Sequence, residues 1–348
     1  MRKPRSFYLG ETGRDNVYHV VTRTAGREIL FGAREKEMFR RILFRQLKFS
    51  GLRALAWCLM GNHLHLLLEV PDREAALQNL TEDDLLARLE VLKGEYSARQ
   101  LLSQVQLFRA AGNTAGVAGV TSKVRARIFD LSAFMKELKM KLTSAYNRAH
   151  GRQGTLWEGR FKCTLVEGAE ATRTVAAYID LNPVRAGLTR DPESYRWCSY
   201  AAAVAGVSGA RSNLARAVTG RTGLRWGEVA AEYRVLLYGK GEARLGGPTP
   251  DGSKPGRRGF SAGEVESVLS RGGLLSLAAA LRCRVRYFSD GAVLGSENSV
   301  IAFFERQRGY FGSRRRSGAR RMRGADWGTI RTLRDLRVEP LTFSGLKD

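Results

Sequence analysis

The sequence predicts an α+β domain, a sheet with helices packed on it, followed by a mainly helical extension. Three observations carry this. Strand-like and helix-like apolar patterns alternate from about Tyr18 to Tyr200 in the order strand, helix, strand, helix, strand, helix. The hydrophobic fraction, 43%, is enough for a packed core. Beyond about residue 206 the chain becomes rich in Gly, Pro, Lys and Arg, and only short helical patterns follow.

The first strand is Tyr18-His19-Val20-Val21-Thr22-Arg23, rich in β-branched residues. A helix follows over Glu35 to Phe49, where Phe39, Ile42, Leu43 and Leu47 keep helical spacing. Ala56 to Val70 reads as one apolar strand that breaks briefly at Gly61-Asn62 and resumes. The segment from about 74 to 128 has the character of an insertion; Leu85 to Leu107 is helical in pattern, Ala110 to Gly116 is a loop, and no chemistry attaches to it. Leu131 to His150 is an amphipathic helix with Leu131, Phe134, Met135, Leu138, Leu142 and Tyr146 on one face, Lys136, Lys139 and Lys141 largely outside it, and Gly151 as its stop. The alternation Phe161, Cys163, Leu165 predicts a strand with Arg160 and Lys162 on its other face. A helix over Ala171 to Leu181 ends before Pro183. The expected arrangement is a first domain over 1–206 with helices on one face of its sheet, a connecting segment over 207–258, and a basic, mainly helical extension over 259–348. Within the extension, Ser261 and Glu264 have the form of a capping box.

Charge narrows the partner. The 58 Lys and Arg against 34 Asp and Glu give a net charge of +24, which suits a polyanion whose counterions are released on binding. Nucleic acid fits better than an anionic membrane, because no long basic amphipathic helix with an aromatic face stands out. No run approaches the ~20 apolar residues of a membrane span. The opening Met1-Arg2-Lys3-Pro4-Arg5 is basic but lacks a signal peptide's apolar segment. The four cysteines are scattered and form no CxxC pair, as expected for a reducing cytoplasm. Ser313 to Arg323 holds six arginines, Arg314, Arg315, Arg316, Arg320, Arg321 and Arg323, and reads as a flexible phosphate-binding arm.

Two of the four histidines, His63 and His65, fall in the most apolar strand, one leucine apart. Alternation puts both on one face, where neutral imidazoles can share a metal ion. Taken alone, the same pair is as readily two polar residues on a half-exposed strand. Tyr178 and Asn182 lie four apart on a helix and share a face, offering a phenol that can attack a phosphodiester and an amide oxygen that can complete a coordination sphere. Without context the first is more often a core aromatic and the second a helix-terminating residue. Tyr146 and His150 repeat the spacing, and histidine is the better transition-metal ligand, but Tyr146 continues the apolar stripe of its own helix.

Larger blocks carry a resemblance. Tyr18-His19-Val20 with Arg23, then Trp57-Cys58-Leu59-Met60-Gly61-Asn62-His63-Leu64-His65-Leu66-Leu67, then Leu156-Trp157-Glu158-Gly159-Arg160-Phe161-Lys162, and finally Tyr178-Ile179-Asp180-Leu181-Asn182-Pro183-Val184-Arg185-Ala186-Gly187-Leu188 resemble, in order, the REP-associated tyrosine transposases, members of the single-tyrosine HUH superfamily. The resemblance spans about residues 15 to 200. It implies a ferredoxin-like antiparallel palm, His63, His65 and Asn182 as ligands of Mg²⁺ or Mn²⁺, and Tyr178 as nucleophile, since the family's tyrosine follows the Trp-Glu-Gly-Arg-Phe strand and Tyr146 precedes it. It further implies cutting and rejoining of single-stranded DNA at repetitive palindromic hairpins through a 5′-phosphotyrosine, by a monomer or homodimer associated with the nucleoid. Arg23, Lys136, Arg160, Lys162 and Arg185 are expected to meet the DNA backbone, with Arg314, Arg315, Arg316, Arg320 and Arg321 as an accessory clamp. His19 is left as a core or substrate-contacting residue. The chain departs from the family in its long 74–128 segment and in its continuation past residue 206. Two rivals stand beside this reading: a hairpin-binding protein that keeps the fold without cutting, and an HUH replication or relaxase nickase, which ranks lower without a GxxxxGK[ST] helicase motif.

Overall fold

Strand β1, Asn16–Arg23, runs through the middle of the protein and pairs on both sides. The computed structural model describes residues 13–93, 95–221, 223–238, 270, 276–282, 285–334 and 336. Around β1 lie β2 (Arg53–Leu59), β3 (His63–Val70), β4 (Lys162–Val166), β5 (Val293–Gly295), β6 (Arg320–Arg321) and β7 (Arg331–Leu333), in the order β2-β3-β1-β4-β5-β7-β6. Every neighbouring pair is antiparallel except β4 with β5.

The single broken strand expected over Ala56 to Val70 is two strands. Met60, Gly61 and Asn62 reverse the chain, and β2 and β3 pair antiparallel with Cys58 opposite His65. The expectation that helices cover one face also changes. Tyr18, Val20, Leu64, Leu66 and Leu68 pack on the helices Ala33–Ser50 and Leu131–His150, whereas Ala56, Cys58 and Leu67 pack beneath Ala169–Asp180 and Ser208–Thr219. Both faces are therefore covered, which is why Leu66, Leu67 and Leu68 are all fully buried in succession. Each such side chain contributes roughly 1.5–3 kcal/mol of burial.

Local signals account for the main helices. Ala33–Ser50 starts where the Glu35 carboxylate accepts the Gly32 amide at 2.9 Å and ends at Gly51, whose φ of 73° and close approach to Phe129 both exclude a side chain. Leu131–His150 is capped by Asp130 and closed by Gly151 at φ 58°. The inserted segment forms Arg73–Gln78, Glu82–Lys93, Glu95–Ala110 and Thr114–Arg125, with a satellite core of Leu85, Leu86, Leu89, Val105, Val117 and Val124 closed by Phe49 and Phe129.

Past residue 206 the described chain supplies helices, including Ser208–Thr219 and Trp226–Tyr238, but also β5, β6 and β7. The sheet thus continues into the region expected to be mainly helical. The bonds are specific: Leu165 N donates to Ala292 O at 2.9 Å and Glu167 N to Leu294 O at 2.8 Å. The capping box at Ser261 and Glu264, and most of the expected linker, lie outside the described residues.

Asp180 fastens the Ala169–Asp180 helix. Fully buried, its carboxylate accepts from Ser199 Oγ at 2.7 Å, Tyr200 N at 3.0 Å and Tyr233 OH at 2.6 Å. Burial pushes its pKa up to about 6, against the lowering effect of those donors. Ser199 Oγ also accepts from Trp57 N at 3.0 Å, so the carboxylate links this helix, edge strand β2 and Trp226–Tyr238. Asp180→Ala strands several buried donors, and the expected loss is on the order of 3 kcal/mol in a urea denaturation series. A loss no greater than that of an exposed substitution would show the cluster to be dispensable.

Candidate active site

Pairing across the sheet brings three histidines together. In β1 and β3, Val21 lies opposite His65 and His19 opposite Leu67, so His19, Val21, His63 and His65 share one face. His65 is 4% exposed and His19 is 1% exposed, while His63, beside the hairpin, is half-buried.

Hydrogen bonds fix the imidazole tautomers. Asn62 donates from Nδ2 to Arg27 O at 2.8 Å, which turns its Oδ1 toward His63 Nδ1 at 2.6 Å. The oxygen can only accept, so His63 carries a proton on Nδ1, and in the neutral ring the lone pair is on Nε2. His19 Nδ1 lies 2.7 Å from Phe288 O, and His19 Nε2 lies 2.9 Å from His65 Nδ1. Burial lowers His19 to about 4, with the Phe288 carbonyl opposing and the Arg185 charge assisting. Burial also takes His65 well below its ordinary value, helped by His63, His19, Arg185 and Arg23. Both rings are neutral near pH 7. Neutral His19 donates from Nδ1 to the carbonyl and accepts at Nε2 from His65, which leaves the His65 lone pair on Nε2.

Tyr178 stands over this face. Its ring lies edge-on to His65 at 6.2 Å between centroids, to His19 at 6.3 Å, and to Phe288 at 4.8 Å. The Arg185 guanidinium covers the ring at 3.7 Å, and its Nη1 donates to Leu281 O at 2.9 Å. Tyr178 is 5% exposed. Asn182 opens the short helix Asn182–Arg185, is 7% exposed, and has a buried Nδ2 without a hydrogen-bond partner among the described residues. Turning the amide over would set its oxygen where that unsatisfied group now sits.

The rival pair lies on the other side of the sheet. Tyr146 belongs to the core of the opposite sheet face, stacks on His150 at 4.2 Å and meets Phe31 at 6.0 Å, while His150 Nε2 lies 3.1 Å from Glu35 Oε1.

Two imidazoles with lone pairs on Nε2 suit a divalent ion of mixed nitrogen and oxygen preference, and the buried, unsatisfied Asn182 amide is chemically able to join them. Among the described residues, no group of three or more His, Cys, Asp and Glu could hold a metal. An ion on this face would rest on His63 and His65, with water or substrate oxygens besides; the resemblance adds Asn182 to them. Cys58, Cys163 and Cys198 are not in disulfides.

The expected backbone-contacting residues fall into three groups. Arg23, at the end of β1 and opposite His63, and Lys162, opposite Val21, mark the same end of the sheet as the histidine pair. Lys162 is held by Asp290 at 2.6 Å. Lys136 and Arg160 line an open groove of about 510 Å³ with Lys139, Met135 and Phe161. Arg185 sits on Tyr178. The run over Ser313 to Arg323 is not a flexible arm but a folded edge. Arg308 donates to the carbonyls of Phe311, Gly312 and Ser313, Gly318 packs against Phe304, and β6 pairs with β7. Arg314, Arg316, Arg320 and Arg321 are exposed along it. Arg315 instead turns inward, over Phe311 at 5.0 Å, and donates to Arg334 O at 2.8 Å.

Sequence reasoning misses three contributors: His19 as partner of His65, Asn62 as orienter of His63, and Phe288. A signal exists for His19, because its position has the same parity as the β1 residue opposite His65.

No protein-family model and no curated protein sequence matches the chain. A solved structure of a REP-associated tyrosine transposase bound to a REP hairpin is similar over 59% of this chain and 87% of that one, at 14% identity and a TM-score of 0.37. A likeness that loose assigns neither mechanism nor substrate, and the functional reading rests on the site itself. Among the described residues no helix is long and apolar enough to cross a membrane.

Proposed function

We propose that this chain is a metal-dependent nuclease and strand transferase of single-stranded DNA, acting at palindromic hairpins through a tyrosine-linked intermediate. The observation that carries the reading is the placement of the Tyr178 ring edge-on to His65, 6.2 Å between centroids, above the face that presents the histidine pair. The resemblance of the sequence blocks supplies the substrate class.

In this reading the Tyr178 oxygen attacks the scissile phosphorus, the bond from phosphorus to the 3′ oxygen breaks, and a 5′-phosphotyrosine forms. The phenol proton leaves during attack and the departing 3′ oxygen ends as a hydroxyl. Attack by a 3′-hydroxyl on the phosphotyrosine restores a phosphodiester and the free phenol, so rejoining needs no nucleotide cofactor. Bound Mg²⁺ or Mn²⁺ would supply Lewis-acid polarisation and positioning of the scissile phosphate. His63 and His65 offer Nε2 lone pairs for it and Asn182 its amide. Arg185 would receive phosphate negative charge beside the phenol, and Arg23, Lys136, Arg160 and Lys162 would hold backbone elsewhere along the strand of DNA. The exposed arginines on β6 and the loop before it would hold the hairpin stem.

The cover over Tyr178 favours a second reading, a protein that binds hairpins without cutting them. Trapping distinguishes the two. With hairpin DNA carrying a single-stranded flank and Mn²⁺, the parent protein should give a covalent adduct on a denaturing gel. Tyr178→Phe should give none, while Tyr146→Phe should match the parent; an adduct at parental yield from Tyr178→Phe would remove this residue from the chemistry. Joint substitution His63→Ala with His65→Ala should cut metal-dependent cleavage by at least about a thousandfold, as loss of a principal electrostatic element does. Undiminished cleavage would dismiss the metal site. Replacing Arg314, Arg316, Arg320 and Arg321 with Gln should weaken binding and flatten the slope of log affinity against log salt by roughly 0.7–0.9 for each phosphate no longer neutralised. An unchanged slope would place the stem elsewhere.

A further inference from the structure

We infer that His19 is a positioning residue that sets which nitrogen of His65 carries the lone pair, and that the segment around Phe288 anchors it. The inference rests on the reading of His65 as a metal ligand in one respect only, the purpose the lone pair serves. For neutral rings, the hydrogen-bond order follows from the contact geometry.

Three observations carry it. The chain of contacts is continuous and buried: Phe288 O to His19 Nδ1 at 2.7 Å, then His19 Nε2 to His65 Nδ1 at 2.9 Å. The two imidazoles are inclined by only 16° with centroids 5.1 Å apart. A 2.9 Å nitrogen contact at that separation requires the rings to meet edge to edge, which aligns the N–H of one with the in-plane lone pair of the other. The chain also has only one polarity for neutral rings. A carbonyl oxygen cannot donate, so the proton order runs from His65 Nδ1 to His19 Nε2 and from His19 Nδ1 to Phe288 O. Reversed, His65 would carry its proton on Nε2 and could not ligate there. Outer partners of this kind fix the tautomer and orientation of metal-binding histidines.

The anchor comes from the far part of the chain. Phe288 is fully buried, its ring packs on Tyr178 at 4.8 Å and Trp327 at 5.6 Å, and its helix, Tyr287–Asp290, leads into the bond from Thr164 Oγ1 to Gly291 O at 3.0 Å. The region after residue 206 is thereby part of the site: one residue orients a histidine through its carbonyl and packs the tyrosine through its ring.

The test uses full-length protein with ¹⁵N-labelled histidine, freed of metal, and long-range ¹H–¹⁵N correlation spectra at neutral pH. Expected are neutral His19 and His65, each with its proton on Nδ1. His65 protonated on Nε2, or a doubly protonated His19, overturns the inference. A second arm measures Mn²⁺ affinity by calorimetry. His19→Phe, which fills the space but accepts no hydrogen bond, should bind Mn²⁺ about 10–100-fold more weakly. His19→Gln, whose amide oxygen can accept from His65, should recover most of that loss. Parental Mn²⁺ affinity in a folded His19→Phe overturns the positioning role. Should His19→Phe fail to fold, the spectra of the parent and the affinity of His19→Gln decide, and a Gln variant that binds as weakly as His63→Ala counts against the inference. If the parent shows the expected tautomers yet binds no Mn²⁺, the metal reading fails and the tautomer assignment survives it.

Discussion

Pairing of β1 with β3, Val21 opposite His65, is the constraint on which the rest of the structure depends. Side chains alternate across a strand, so this register decides which residues meet beneath the Ala169–Asp180 helix and which meet beneath Leu131–His150. A slip of one residue would turn His65 toward Phe134 and Leu138 and present Leu64 or Leu66 to Tyr178. Burial on both faces makes that slip costly. Leu64, Leu66 and Leu68 fill one side and Leu67 the other, and a one-residue slip would exchange those faces. The site inherits its order from ordinary core packing.

Much of this is legible in the residues themselves. Helix limits follow local signals such as Asp130 and Gly151, and the amphipathic stripe ending at Tyr146 correctly places that ring in the opposite core. The meeting of Tyr178 with the histidine strand is legible only as part of an ordered set of blocks, since spacing leaves two tyrosine pairs. What escapes is either long-range or short. The bond from His19 to His65 joins positions 46 apart, and that from His19 to Phe288 joins positions 269 apart, so neither leaves a local pattern. Strands of two or three residues, as in β5, β6 and β7, are too brief for alternation to register. The hairpin at Met60 to Asn62 reads as an interruption because apolar residues continue on both sides of it. Leu66-Leu67-Leu68 is the clue to two-sided burial, because a half-exposed strand does not keep three leucines in succession.

The charged residues separate into those that solvent and a polyanion can reach and those the protein has already engaged. Arg315 is committed to Phe311 and the Arg334 carbonyl, whereas Arg314, Arg316 and Arg321 lie exposed on a folded edge. A fixed edge differs physically from a loose arm. Its charges lose less conformational freedom when a backbone docks, so more of the electrostatic gain survives as affinity. The same exposed arginines discourage a second sheet from pairing with β6, as charged edges do elsewhere.

Tyr178 presents the sharper problem, because the group read as nucleophile lies under a guanidinium. Arg185 is held at one nitrogen by the Leu281 carbonyl while its plane covers the phenol. A phosphate arriving at the phenol would offer that guanidinium a charge-assisted partner stronger than a neutral carbonyl. Exchange of Leu281 O for a phosphate oxygen would then uncover the ring as the substrate binds. Phe288 packs edge-on against the same phenol ring at 4.8 Å, a contact that does not involve the arginine.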